Sequence, residues 1–392
     1  MSSLWIGQVK HQDPKTGINV GSPTLVSLGS GEILAAHDYQ GKGIYRRPER
    51  DRYTTSVYRS SDRGVTWEHT ADLQGFIWGT LFVHGGSVYL LGTSRDYGSI
   101  VIRRSDDAGS TWTDPVDEGS GLLFRGGDEY GPPNYHHSPN NVLAFEGRLY
   151  TAYENDDPFE WPAGFRAFVL SADEDSDLLK ASSWRKSNEV PFPRNPAHEV
   201  DGWLEGNIVV DIDGWPCSVL RLQPELSGEE YFSGESEFAI DKAAFLGIEN
   251  EGRKLVNDPG RSFVDLPGGM SKFTIRRDDI GRRYWVLAND MSTGPPRIHR
   301  NILGLFSSAD LSSWTRHRIL MEDRIEKTPE ESARKTGFQY ADWQFDGDDI
   351  IYLVRTAYDG APNYHDANRI TFGRVEDFRA LAQSGGLWQP EE

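Results

Sequence analysis

The sequence predicts an all-β chain folded as one β-propeller of four-stranded antiparallel blades, on three observations. A Ser-x-Asp-x-Gly-x-Thr-Trp motif recurs along it. Short apolar runs come in pairs joined by glycine turns. The 392 residues carry 41 Gly, 12 Trp and 16 Tyr, a bias towards short strands and turns over helices. The two intact motif copies, Ser60–Trp67 and Ser105–Trp112, stand 45 residues apart, a spacing suited to one blade. Degraded copies follow at Ile248–Leu255 and Ser307–Trp314, and a stretched one runs from Ser171 through Asp173 and Asp177 to Trp184. An Asp at a turn accepts hydrogen bonds from its own backbone, and the Gly supplies a positive φ. The Trp then packs where a hairpin meets its neighbour, so the motif reads as a structural staple on an outer hairpin.

The strands follow in order. Blade 1 has Pro23–Leu28 and Glu32–Ala36; blade 2 has Gly79–Val83, Ser87–Leu91 and Ile100–Arg103. Blade 3 has Asn141–Phe145, Arg148–Tyr153 and Arg166–Leu170; blade 4 has Asn207–Asp211 and Cys217–Arg221. Blade 5 has Lys272–Arg276 and Tyr284–Ala288; blade 6 has Asp342–Phe345, Ile350–Arg355 and Arg369–Phe372. Six blades are counted, and the irregular stretches leave room for a seventh. A lone strand over 4–9 is expected to pair with the last blade and close the ring, removing exposed edges. One short helix is expected around Pro329–Lys335. No linker divides residues 1–392, which read as a single domain.

Composition narrows the function. With 41 Lys+Arg against 60 Asp+Glu the net charge is −19, which argues against a phosphate-tracking nucleic-acid binder. No apolar run reaches the ~20 residues that span a bilayer. The single cysteine, Cys217, excludes an internal disulfide framework and a Cys-rich metal site. The start, Met1–Lys10, lacks the basic-then-apolar pattern of a secretory leader, so a cytoplasmic monomer is expected, or a secreted one already trimmed.

Propeller polarity sorts the polar residues. The ligand face usually lies where the innermost strands begin and the second strands end. First-strand starts supply Tyr135, His136, His137, Glu205, Asn207, Lys272, Gln339, Tyr340 and Asp342. Second-strand ends supply His37, Asp38, Tyr39, Arg95, Glu154, Arg221, Asn289 and Arg355, and the loop after Arg355 adds His365, Asp366 and Asn368. His84 falls on the opposite face. Histidines and arginines gathered on one face of an acidic protein point to an anionic sugar, gripped by guanidinium forks and worked on by a base.

These strings resemble the sialidase-like (Asp-box) propellers, and within them the propeller polysaccharide lyases. That group includes the L-rhamnose-α-1,4-D-glucuronate lyases and, more remotely, the ulvan lyases. The resemblance is carried by Ser22-Pro-Thr, Ala36-His-Asp-Tyr39, Leu81-Phe-Val-His84, Gly92-Thr, Ile102-Arg-Arg-Ser105 and Tyr135-His-His-Ser-Pro139. It continues through Trp203-Leu-Glu-Gly-Asn207, Pro267–Arg276, Gly337–Trp343 and His365-Asp-Ala-Asn368, covering nearly the whole chain. True sialidases begin their arginine triad with Arg-Ile-Pro before the first strand; here Asn19-Val-Gly-Ser-Pro23 stands there, and Tyr45-Arg-Arg-Pro48 comes after the second strand.

The resemblance implies β-elimination from a uronic acid, in which the carboxylate is neutralised before a base takes the C5 proton. It implies His37 and His136 as acid and base, with His365 third. Arg221 and Arg355 are the neutralisers, and Arg95 and Lys272 are further anion contacts. Tyr39 and Tyr340 are donors to the leaving oxygen. Glu205, Asn207, Gln339 and Asn368 line the substrate, and Trp78 and Trp203 are candidates for stacking on sugar rings. His37-Asp38 and His365-Asp366 are candidate ligands for a divalent metal (Ca or Zn). Two alternatives stand beside this: an exo-acting glycoside hydrolase, drawing its carboxyl pair from Asp38, Glu154, Glu205, Asp342 and Asp366, and a non-catalytic glycan-binding propeller.

Overall fold

The computed structural model describes residues 4–128, 130–193, 200–224, 241–292 and 299–382, and the backbone of 386–387. They form six antiparallel sheets set as propeller blades. Blade 1 is built from Asn19–Gly29, Glu32–Gln40, Thr54–Ser60 and Glu68–Gln74, and blade 2 from Ile77–His84, Ser87–Thr93, Ile100–Ser105 and Leu122–Phe124. The inner strand of blade 3 is interrupted: Tyr135–His136 and Leu143–Phe145 both pair with Arg148–Asp156. Blades 4, 5 and 6 begin with Val200–Val210, Thr274–Asp278 and Gly337–Asp346. The closing strand spans Gly7–His11, a little later than the 4–9 pattern, and pairs with Arg369–Val375 on the outer edge of blade 6. Leu4 and Trp5 instead pack against the core between blades 5 and 6. The helix Pro329–Lys335 is capped by Thr328, whose hydroxyl accepts the Glu331 N–H. No helix among the described residues is long and apolar enough to cross a membrane.

Hydrophobic burial drives the blades together. Six buried clusters occur, each astride one blade–blade boundary; that between blades 1 and 2, for example, joins Leu34 and Val57 to Leu81 and Leu90. A polar ring runs inside them. Leu81 N–H donates to Thr24 Oγ1 (3.0 Å), Asn140 N–H to Thr80 Oγ1 (3.1 Å), Ile208 N–H to Asn141 Oδ1 (3.1 Å) and Ile275 N–H to Asn207 Oδ1 (3.3 Å). Thr274 Oγ1 donates to Ala341 O (2.8 Å), and Leu25 N–H reaches Asp342 Oδ2 (3.1 Å), closing the circle. Each inner strand thus satisfies a buried backbone group of its neighbour.

The repeated motif staples the far face. Asp62 Oδ1 accepts Thr66 N–H (2.9 Å) while Trp67 Nε1 donates to Gly64 O (3.0 Å); Asp107, Thr111, Trp112 and Gly109 repeat these bonds at 2.8 and 3.0 Å. Gly64 adopts φ +91° against the Phe372 ring of blade 6, where a Cβ would overlap it. The degraded copies keep fragments: Asp310 still accepts Ser313 N–H (2.7 Å), and Trp184 Nε1 still finds a carbonyl, Leu178 O (2.9 Å).

Candidate active site

Four inner strands share an irregularity that the strand pattern does not display. The register slips at Gly21/Thr24, Ile77/Thr80, Leu204/Asn207 and Gln339/Asp342. In each slip one non-glycine residue sits at positive φ: Ser22 (41°), Trp78 (56°), Glu205 (59°) and Tyr340 (54°). Such backbone costs on the order of 1–3 kcal/mol per residue, and bulges serve to re-aim side chains.

Two of the re-aimed side chains meet. Tyr340 Oη donates to Glu205 Oε1 at 2.7 Å. Arg221 Nη1 holds the other carboxylate oxygen at 2.9 Å, while its Nε donates to Met270 O and its Nη2 to Gln223 Oε1. The Arg355 guanidinium lies over the Tyr340 ring, 4.9 Å from its centre. Arg355 Nη2 donates to His365 O (2.6 Å), and its buried Nε has no partner. Arg300, buried beside them, donates to Gln339 Oε1 at 2.5 Å. Burial pushes the Glu205 carboxyl towards its neutral form, but the charges of Arg221 and His136 and the bonds from Arg221 and Tyr340 outweigh it and hold the group below its ordinary value. Burial pushes the Tyr340 phenol upward and Glu205 adds to this, offset by Arg221, Arg300 and Arg355.

A second carboxyl is displaced the other way. Burial pushes Asp38 up to about 6 despite hydrogen bonds from Trp78 N–H (2.9 Å) and Ser22 and the charge of Arg355; Asp96 nearby reinforces the rise. Burial raises Asp96 as well. Asp38 and Asp96 line a pocket of about 360 Å³ together with Tyr39, Tyr45, Tyr53 and Trp78. Next to it His136 donates Nδ1–H to Glu154 Oε2 (2.9 Å), its ring 4.8 Å from Trp78.

Of the residues expected from sequence, Asp38, His136, Glu154, Glu205, Arg221, Tyr340 and Arg355 gather here. His365 stands on the adjoining loop, its Nδ1 on Asp366 (3.0 Å) and its Nε2 facing Arg355 (3.2 Å). Arg355's charge first, then burial, depresses this imidazole to about 4.

Others either do not reach the mouth or border it with their polar groups already bonded within the protein, which corrects the roles expected of them. His37 is wholly buried, stacked on Tyr58 with its Nδ1 at Asp38 O (3.0 Å): strand alternation turns it away from the mouth that Asp38 faces. Tyr39 borders the pocket, but its hydroxyl bonds Ser56 (3.0 Å). His137 stacks on Tyr153 and bonds Thr80 and Ala152. Trp203 has no exposed surface and packs edge-on to Phe192 in the core between blades 3 and 4, so no sugar stacks on it. Asn207 and Asp342 belong to the inner ring. The Lys272 ammonium is buried and spent on Thr274 Oγ1 (2.6 Å) and Ala341 O (3.4 Å). Gln339 positions Arg300 and bonds the carbonyls of Tyr364 and His365. Asn289 ties Phe338 O (2.8 Å), and Asn368 folds its own loop through Tyr358. Arg95 donates to Gly127 O (2.5 Å) at the rim. Among the described residues no three His, Cys, Asp or Glu side chains are grouped to hold a metal ion.

Sequence reasoning missed Arg300, Asp96 and Tyr97. Asp96 and Tyr97 follow Arg95 directly and fall within the same second-strand end. Arg300 precedes the strand Ile302–Ser308, in a stretch without periodicity.

No family model matches the sequence, and no curated protein matches it. Solved structures share the fold. The Penicillium chrysogenum α-L-arabinanase complexed with arabinobiose is 16% identical with a TM-score of 0.57, covering 96% of this chain and 99% of that one. The GH93 α-L-arabinofuranosidase of Fusarium graminearum is 14% identical with a TM-score of 0.57, over 95% and 98%. Trypanosoma rangeli sialidase in complex with sialic acid is 13% identical with a TM-score of 0.55, over 96% of this chain and 58% of that one. The chain is a six-bladed propeller with their architecture.

Proposed function

We propose that the protein is a retaining glycoside hydrolase of the sialidase type that removes an anionic sugar from the end of a glycan. The carrying observation is the Tyr340 hydroxyl donating to a buried Glu205 carboxylate held by Arg221. A phenol paired with a base can act as nucleophile. Being neutral, it meets a negatively charged sugar without the repulsion a carboxylate nucleophile would suffer. Arg355 over the Tyr340 ring and Arg300 close by supply the positive charge that would hold the sugar's own carboxylate. Asp38 and Glu205, displaced in opposite directions, divide the acid and base roles.

In the first step Glu205 takes the phenolic proton as Tyr340 Oη bonds to the anomeric carbon, and Asp38 protonates the departing glycosidic oxygen. Asp38, now ionised, then takes a proton from water as it attacks the same carbon. Tyr340 leaves and recovers its proton from Glu205, so two inversions give net retention. Propellers of this shape that process arabinan or bind sialic acid support carbohydrate cleavage.

β-Elimination from a uronate is the second reading, favoured by His136: with Nδ1–H held by Glu154, its Nε2 is the basic nitrogen. One experiment separates them. Sialyllactose, methyl glucuronide, an arabinobioside and a glucuronate carrying a second sugar at O4 are offered, with NMR of the released anomer and the ultraviolet absorbance of an unsaturated uronate recorded together. The expected result is cleavage of an anionic glycoside with retention and no new absorbance. An unsaturated product would establish elimination instead, and cleavage of the arabinoside alone would remove the anionic sugar.

A further inference from the structure

Three loops leave the mouth side by side: 94–99 of blade 2, the described residues 125–128 and 130–134 that follow it, and 157–164 of blade 3. Their aromatic side chains form one continuous wall. From Trp78 it runs to Tyr97 (5.6 Å), from Tyr97 to Phe159 (4.9 Å) and from Phe159 to Tyr130 (5.2 Å). A second branch runs from His136 to Phe165 (5.0 Å) and on to Trp161 (5.1 Å). Of the inner members His136 and Phe165 are buried and Trp78 and Tyr97 half-buried, while the outer ones face solvent: Tyr130 is 44% exposed, Phe159 50% and Trp161 53%. Large apolar side chains are seldom grouped at a surface without something to cover them. The outer loop is braced as well, with Gly164 N–H on Glu160 O (2.6 Å) and Glu160 N–H on Asp156 Oδ1 (3.2 Å).

We propose that this wall holds the leaving group, and that the leaving group is an uncharged sugar chain; the inference rests on the hydrolase reading above. Aromatic faces stack on the C–H faces of sugar rings, and the wall begins at His136 and Trp78 in the mouth itself. Charge selects the kind of sugar. Among the described residues, the three loops carry Asp96, Asp128, Asp157 and Glu160 against Arg95 and Arg125, and Arg125 is already bonded to Glu118. A second anionic sugar would therefore be repelled where the first is attracted by Arg221, Arg300 and Arg355. The substrate class is an anionic sugar capping a neutral oligosaccharide.

Calorimetric titration of the inactive Tyr340→Phe protein with lactose, cellotriose and arabinotriose tests the wall without requiring turnover. At least one should bind, roughly tenfold more tightly than to a protein also carrying Phe159→Ala and Trp161→Ala. Phe159→Tyr with Trp161→Tyr should restore it, and melting curves check that all variants fold. Failure of all three sugars to bind, or equal binding to the alanine variant, overturns the proposal. In active protein, kcat/KM should favour the anionic sugar linked to lactose over its methyl glycoside by about tenfold, a preference that the alanine variant loses. Absence of turnover with binding intact would sink the hydrolase reading and leave the wall standing.

Discussion

The two faces of this propeller are built by opposite rules. On the far face, Asp62 and Asp107 close the same turn 45 residues apart, every bond locally satisfied and each glycine fitted against the preceding blade. On the mouth face the corresponding bulge positions of the blades hold different residues, Ser22, Trp78, Glu205 and Tyr340. There four inner strands slip register and buried charged groups crowd together. Repetition holds the ring, and departures from repetition gather the polar groups of the candidate site. The strain of the mouth persists because six interblade cores and the polar ring determine the backbone around it.

A crossed pair of substitutions sharpens this contrast most. Tyr340→Phe removes one hydroxyl and should lower kcat by about a thousandfold while the melting temperature stays put, because the ring keeps its place under Arg355. Asp107→Ala should do the reverse. The hydroxyl and backbone N–H of Thr111 hold that carboxyl down at about 2, and losing it unpins the turn, lowering the melting temperature with kcat/KM unchanged. Paired kinetic and melting measurements decide. Equal damage from both would break the division between faces.

Asp38→Asn should separate function from stability inside the mouth itself. Its pKa of about 6 in the fold lies above the ordinary 3.8, so between these values the native chain binds more protons than the unfolded one. The stability it contributes is present below pH 3.8 and lost as pH rises through 6, leaving a buried, costly charge at pH 7. Two pH units correspond to ~3 kcal/mol, so Asn should stabilise the fold at neutral pH by up to that amount. On the proposed mechanism turnover should fall about a hundredfold, since Asn cannot give up the proton that Asp38 would. In the unsubstituted protein the proposed activity should decline in kcat/KM above pH 6 for the same reason. Denaturant melts at pH 4 and pH 7 test the first part; a variant less stable at both would refute it.

The blades were legible because strand alternation, glycine turns and the Asp-turn motif are local signals. Propeller polarity correctly brought Asp38, Glu205, Arg221, Tyr340 and Arg355 to one face, since strand direction alone decides which end of a blade a residue occupies. It did not decide which side of a strand a residue faces. His37 and Asp38 are neighbours in sequence, yet one is in the core and the other in the mouth. The bulges that lift Glu205 and Tyr340 were invisible too, as neither residue type signals positive φ. Asn207, Asp342 and Lys272 fall at the same face but serve the inner ring, which depends on contacts between strands far apart in sequence. The arginine missing from the first strand had no local substitute to find: Arg300 reaches the same mouth from a loop of blade 5.

His37 provides the subtlest check, because it tests placement alone. Burial first, and Lys10 and His69 with it, pull the imidazole from 6.5 down to about 4, against a backbone bond to Asp38 and the charge of Asp72. The native chain keeps it neutral where the unfolded chain would protonate it. Its stabilising share is therefore complete above pH 6.5 and lost as pH falls through 4, ~3 kcal/mol in all. His37→Phe keeps a ring against Tyr58 and cannot titrate, so stability should fall less steeply between pH 6.5 and 4. The decline should persist in part, because His137, pushed by burial to about 3, titrates in the same direction. Turnover at pH 6 should be within twofold of the parent, as the imidazole faces away from Asp38, Glu205 and Tyr340. A large loss of kcat with the fold intact would return His37 to the chemistry and erase the distinction between core and mouth on this strand.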